Sequence, residues 1–108
     1  MFSIYVDDIR NTVNKYDAVC RSTDETMKLF RKKYKEGERH FYLDLDHDAG
    51  NTSPGGDFIN ILKQIESYTR MGKMKDLDID VHLHSGNTVG KENMRVIIRA
   101  NSCFQEVW

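Results

Sequence analysis

The sequence predicts a three-layer α/β/α domain built on a mostly parallel sheet of about four or five strands. Three observations carry this. Short apolar runs rich in β-branched and aromatic residues alternate along the chain with segments of helical period, the pattern of βαβ units with right-handed crossovers. Polar clusters of Asp, His, Ser and Asn stand where those runs end. The length, 108 residues, suits one hydrophobic core and not two, so residues 1–108 are expected to form a single domain.

Phe2-Ser-Ile-Tyr-Val6 reads as a buried strand that stops at Asp7-Asp8. A polar connection leads to Tyr16–Cys20, a candidate second strand. Ser22 and Glu25 have the spacing of a capping box, and Asp24 adds negative charge to the first turn. The helix predicted from Thr23 to Lys35 turns Met27, Phe30 and Tyr34 inward and stops at Gly37. His40–Leu45 is the third strand and runs into Asp46-His-Asp-Ala-Gly50. Asn51–Gly56 is a loop by its Ser, Pro and Gly content. A second helix follows from about Asp57, with Phe58, Ile61, Leu62 and Ile65 on one face, and ends near Gly72. Leu77–Leu83 reads as a strand ending near His84, and Ser85–Thr88 as a turn. Val89–Ala100 is a third helix with Met94, Ile97 and Ile98 inward, and Cys103–Trp108 a last edge strand.

Lys and Arg number 16 against 17 Asp and Glu, a net charge of −1. Overall charge therefore attracts neither bulk nucleic acid nor an anionic membrane. Cys20 and Cys103 cannot form a disulfide framework and lack metal-type spacing. The opening MFSIYVDDIR has no basic region followed by a long apolar one, and no apolar run approaches membrane-spanning length. A reducing, cytoplasmic location is expected. Neither repeats nor a linker is visible.

Open parallel sheets bind ligands beyond the carboxyl ends of their strands. Three polar segments fall there: Asp7-Asp8, Asp46-His47-Asp48, and His84 to Asn87. Adjacent carboxylates such as Asp7 and Asp8 suit a hard divalent cation, although Asp is also common in turns. Asp44 and Asp46 point to one side of their strand, where a buried carboxylate needs a cation, a basic partner or solvent. Asp46 is a candidate ligand or nucleophile, His47 a candidate ligand or proton donor, and Asp48 a turn cap. His84, at its strand end, suits acid–base work or phosphate contact; His82, further in, reads as structural, and His40 has no assigned role. The glycines before the second and third helices, Gly55-Gly56 and Gly86, put free amides at helix N-termini, which suits phosphate. Arg10 is placed to meet a phosphate oxygen. No zinc-finger spacing or nucleophile elbow is present.

Val6-Asp-Asp-Ile-Arg10, Leu45-Asp-His-Asp-Ala-Gly50, Gly55-Gly56 and His84-Ser-Gly-Asn-Thr-Val-Gly-Lys-Glu-Asn-Met94 together resemble the motif series of the cyclic-phosphate-processing receiver-like domains. The resemblance spans nearly the whole chain and implies a receiver/flavodoxin-like fold acting on cyclic phosphates of nucleotides or RNA ends. It implies that Asp7, Asp8 and Asp46 bind a divalent cation, Mg²⁺ or Mn²⁺, with Asp44 competing with Asp46 for the strand-end position. It further implies catalytic roles for Asp46, His47 and His84. Arg10, Gly55, Gly56, Ser85, Asn87 and Asn93 are the expected contacts to phosphate or substrate. Two departures count against phosphorelay signalling: no lysine stands in Cys103–Trp108, and a short strand replaces a helix between Asp8 and Ser22. The leading expectation is a metal-assisted phosphoesterase with a nucleotide or cyclic-phosphate ligand. Its alternatives are a non-catalytic regulatory or nucleotide-sequestering module and an interaction domain with an acidic rim.

Overall fold

The computed structural model describes residues 1–12, 14–50 and 52–108; Asn51, at the start of the expected loop, lies outside them. The elements are β1 (Phe2–Val6), β2 (Ala18–Cys20), α1 (Thr23–Lys35), β3 (His40–Leu45), α2 (Ile59–Arg70), β4 (Asp78–Leu83), α3 (Thr88–Ala100) and β5 (Phe104–Glu106). The five strands form one sheet in the order β2-β1-β3-β4-β5, and every pairing is parallel. This is the flavodoxin-like order.

Strand alternation sorts the side chains. Ile4 and Val6, Phe41, Leu43 and Leu45, and Ile79, Val81 and Leu83 share one core with Met27 and Phe30 of α1, Ile61, Leu62 and Ile65 of α2, and Met94 and Ile98 of α3. The crossovers run β2 to β3, β3 to β4 and β4 to β5, all in one direction across the sheet. Right-handed crossovers in one direction put their helices on one face. Among the described residues, all three helices therefore cover the same side.

The opposite face carries Tyr5, Tyr42, Asp44, Asp80 and His82. The sequence predicts helices on both faces; among the described residues the second covering layer is not helical. It is the β1–β2 connection, which has no helical apolar period and lays Tyr16 against Tyr5 and Tyr42, with centroids 5.4 and 6.3 Å away.

Local chemistry sets the boundaries. The Ser22 hydroxyl accepts the Glu25 N–H at 3.1 Å, and α1 spans the residues expected of it. β2 is shorter than Tyr16–Cys20 because Tyr16 turns onto the sheet face and the Asp17 carboxylate accepts the N–H of Ser3 at 2.8 Å. α2 begins two residues after Asp57, whose carboxylate accepts the Ala49 N–H at 3.1 Å. Asn87 caps α3 by accepting the Gly90 N–H at 2.8 Å. Among the described residues, no helix is long and apolar enough to cross a membrane.

Candidate functional site

β1 leads one way across the sheet to β2 and β3 leads the other way to β4, so the topological switch point lies between β1 and β3. Val6 pairs with Leu45, and Leu45 with Leu83. The next residues, Asp7, Asp46 and His84, consequently leave the sheet side by side. Each offers one carboxylate oxygen or ring nitrogen within 4.8 Å of the others.

Asp7 is fully buried. Its Oδ1 accepts the N–H groups of Ile9 (3.0 Å) and Arg10 (2.8 Å), and its Oδ2 faces His84 Nε2 at 2.9 Å. Burial alone would push the carboxyl up, but the Arg10 amide, the His84 ring and the Ile9 amide outweigh it and hold Asp7 below the ordinary carboxylate range.

His84 has a carboxylate at each nitrogen: Asp7 at Nε2 and Asp44 Oδ1 at Nδ1, 2.5 Å away. Tyr5 stacks on the ring at 4.9 Å and 5°. Burial works against the charged ring, yet Asp44 and Asp7 prevail, and the pKa stands above the ordinary histidine value. A neutral ring carries one N–H; only the imidazolium donates to both carboxylates. Asp44, 5% exposed, is satisfied at its other oxygen by the Tyr16 hydroxyl. Burial, then this carboxylate, raise the Tyr16 pKa. Asp44 and Asp46 thus take separate places: the first lies inside the sheet against His84, the second at the strand end.

His47 is held elsewhere. Its backbone N–H donates to Asp46 Oδ1 at 2.8 Å, while its ring Nδ1 meets Asp48 Oδ1 at 2.8 Å and packs on Gly90. That ring, helped by the Asn87 amide, keeps the Asp48 carboxyl below its ordinary value despite the small effect of burial. Asp48, expected to be only a turn cap, therefore orients His47.

The remaining expected residues are more dispersed. Asp8 is half-buried and outside the mutually close trio, with its Oδ2 near Gly50. Arg10 is exposed and contributes its backbone N–H to Asp7. Gly55 and Gly56 have φ of +90° and +73° and dock on α1: Thr23 Oγ1 donates to Gly56 O at 3.1 Å, and a Cβ at Gly55 would lie 2.5 Å from Asp24 Oδ1. Their close approach serves packing, and the Phe58 amide at the start of α2 donates to His47 O. Ser85 is buried and accepts the Asn87 N–H at 3.0 Å, whereas Asn93 is exposed on α3.

Arg21 carries no local sequence signal for a role at the site. Its guanidinium donates to the carbonyls of Asp7 (3.1 Å) and Arg10 and to Asn11 Oδ1 (2.6 Å), tying down the connection that shapes the site. Tyr5 was findable, since period-2 alternation puts it on the face of Asp7; nothing in the spacing announced Tyr16. His82 is structural, its Nδ1 lying 3.2 Å from Val107 O. Burial pushes the Cys20 thiol up to about 11, which suits an inert core residue.

A carboxylate offers about four acceptor positions. Among the described residues Asp7 uses three and Asp46 one, so the pair retains oxygen donors for a hard divalent cation. His84, with both nitrogens turned to carboxylates, fits a proton carrier better than a ligand.

A parallel sheet of this order, with acidic residues at its β1/β3 switch point, defines a receiver-like α/β protein. The chain belongs to the family of the cyclic-phosphate processing receiver domain, whose family model matches residues 2–100. Comparison with curated proteins and with solved structures finds no match.

Proposed function

We propose that this domain is a divalent-cation-dependent phosphoesterase acting on a cyclic or terminal phosphate of a nucleotide or RNA end. The observation that carries the reading is His84, ringed by Asp7 and Asp44 and within reach of Asp46, at the switch point of a cyclic-phosphate processing receiver domain. Asp7 and Asp46, with Asp8 beside them, would hold Mg²⁺ or Mn²⁺, which when bound would polarise the phosphoryl group.

The chain's own residues divide the proton work. His84 favours the charged form and is the acid: its Nε2–H goes to the ester oxygen as the P–O bond breaks. His47, oriented by Asp48, is the base that takes a proton from the attacking water as the new O–P bond forms. Substrate phosphate competes with Asp7 for Nε2–H. Arg10, Gly55, Gly56, Ser85, Asn87 and Asn93 would be the substrate contacts, and of these Asn87 is the one held against His47 and Asp48. The reducing cytoplasm suits the free thiols of Cys20 and Cys103.

The test is a hydrolysis screen over 2′,3′- and 3′,5′-cyclic nucleotides and cyclic dinucleotides with Mg²⁺ or Mn²⁺. Turnover abolished by EDTA and by Asp46→Asn is expected. No turnover on any of them, with the cation demonstrably bound, overturns the reading. Thermal stabilisation by a nucleotide without product would then favour a sequestering module.

A further inference from the structure

We propose that Asp44, backed by Tyr16, is the positioning residue that aims His84 at the leaving oxygen. The proposal rests on the phosphoesterase reading above, and its test separates the two.

Asp44 lies in β3 one residue short of the strand's end, on the face opposite the helices. A carboxylate in such a place is costly unless its oxygens are occupied. Both are, and by different partners: Oδ1 meets His84 Nδ1 at 2.5 Å, and Oδ2 accepts the Tyr16 hydroxyl. The tyrosine prevents the carboxylate from rotating away from the ring. Tyr5 stacks parallel to the imidazole at 4.9 Å and limits its tilt.

The ring is therefore restrained at one edge and one face. With Nδ1 committed to Asp44, Nε2 is the nitrogen directed to the strand end, where it stands 2.9 Å from Asp7 Oδ2. A histidine that can deliver its proton from only one nitrogen, in one direction, suits general acid catalysis. Loss of Asp44 would free the ring to turn about its side-chain bonds, and loss of Tyr16 would free Asp44. Neither residue needs to touch substrate.

Two substrates with different leaving groups test this on the purified protein with Mn²⁺. A 2′,3′-cyclic nucleotide expels an alkoxide that needs a proton; bis(p-nitrophenyl) phosphate expels a stabilised phenolate that does not. Asp44→Asn should lower kcat on the cyclic nucleotide by on the order of 10²-fold or more, with KM little changed. It should leave the p-nitrophenyl ester nearly unaffected. Tyr16→Phe should reproduce the pattern at about tenfold. Equal losses on both substrates, or none on either, overturn the proposal.

The second measurement needs no turnover. In ¹⁵N-resolved NMR the wild type should show a strongly deshielded His84 Nδ1–H proton, absent in Asp44→Asn while the other core resonances persist. Its absence in the wild type overturns the proposal by itself. If that proton is present but no substrate is turned over, the phosphoesterase reading has failed and the Asp44–His84 clamp stands.

Discussion

The backbone of Gly90, in the first turn of α3, lies against the imidazole of His47, and a Cβ at residue 90 would come within 2.6 Å of Cδ2 and 2.8 Å of Nδ1. A helical glycine is ordinarily a weakness of about 1 kcal/mol relative to alanine. Here the missing side chain makes room for the ring that Asp48 holds by its Nδ1.

Gly90→Ala should displace His47. Gain in helix propensity opposes an overpacking cost of about 1–3 kcal/mol, so the melting temperature should move little. Turnover on a cyclic nucleotide should fall far more than stability does. Parallel thermal melts and kinetics check this, and unchanged turnover would show that His47 needs no fixed position.

Stability should depend on pH through His84 and Asp7. The His84 pKa is raised by folding, so its contribution is full below the unfolded value of about 6.5 and fades as pH climbs through the higher folded value. The Asp7 pKa is lowered, so its contribution is present above the unfolded carboxylate value of about 3.9 and is lost as pH falls through the lower folded value. In EDTA, the melting temperature should be highest between those two unfolded values. It should decline on the alkaline side, and His84→Gln should flatten that decline. An unchanged alkaline limb in the variant would contradict the assignment.

Arg21 should stiffen the β1–β2 connection. Removing a charged donor from bonds to two carbonyls and an amide oxygen costs about 1–3 kcal/mol. Arg21→Ala should speed amide hydrogen exchange at Ile9 and Arg10, whose N–H groups cap Asp7, more than exchange in β3. Uniform protection across both segments would show that the guanidinium is dispensable.

What was legible in the sequence follows from local physics. α1 carries its own capping box and apolar stripe, and its span is that of the expected helix. Asp7, Asp46 and His84 were legible because each ends a strand, and parallel strands bring their ends to one rim. The layering was not legible: which face a helix takes depends on the direction of each crossover, and β2 was too short to announce where the chain turned. Tyr16 and Arg21 act across 28 and 14 residues of sequence respectively, beyond the reach of any local pattern. The glycine pair Gly55-Gly56 looked like a phosphate cradle because close approach is what glycine permits; the structure spends that approach on α1.

Cation binding should be sensitive to the same histidine. Asp7, Asp46 and His84 crowd their polar atoms within 4.8 Å, so a divalent cation on the two carboxylates would face a charged imidazole and be repelled by it. Affinity for Mn²⁺ should therefore rise with pH as His84 loses its proton, and His84→Gln should weaken that dependence. The carboxylates should also rank unequally. Among the described residues, Asp46 keeps most of its acceptor positions and belongs to the close trio, whereas Asp8 lies outside it, beside Gly50. Asp46→Asn should weaken Mn²⁺ binding by at least about tenfold, an outer-partner loss being the lower bound, and Asp8→Asn should weaken it less. Titration calorimetry or the Mn²⁺ paramagnetic resonance signal, taken on either side of the His84 transition followed by NMR, would report both effects. Binding that is equal on the two sides, or hit harder by Asp8→Asn, would move the cation away from the Asp7–Asp46 pair.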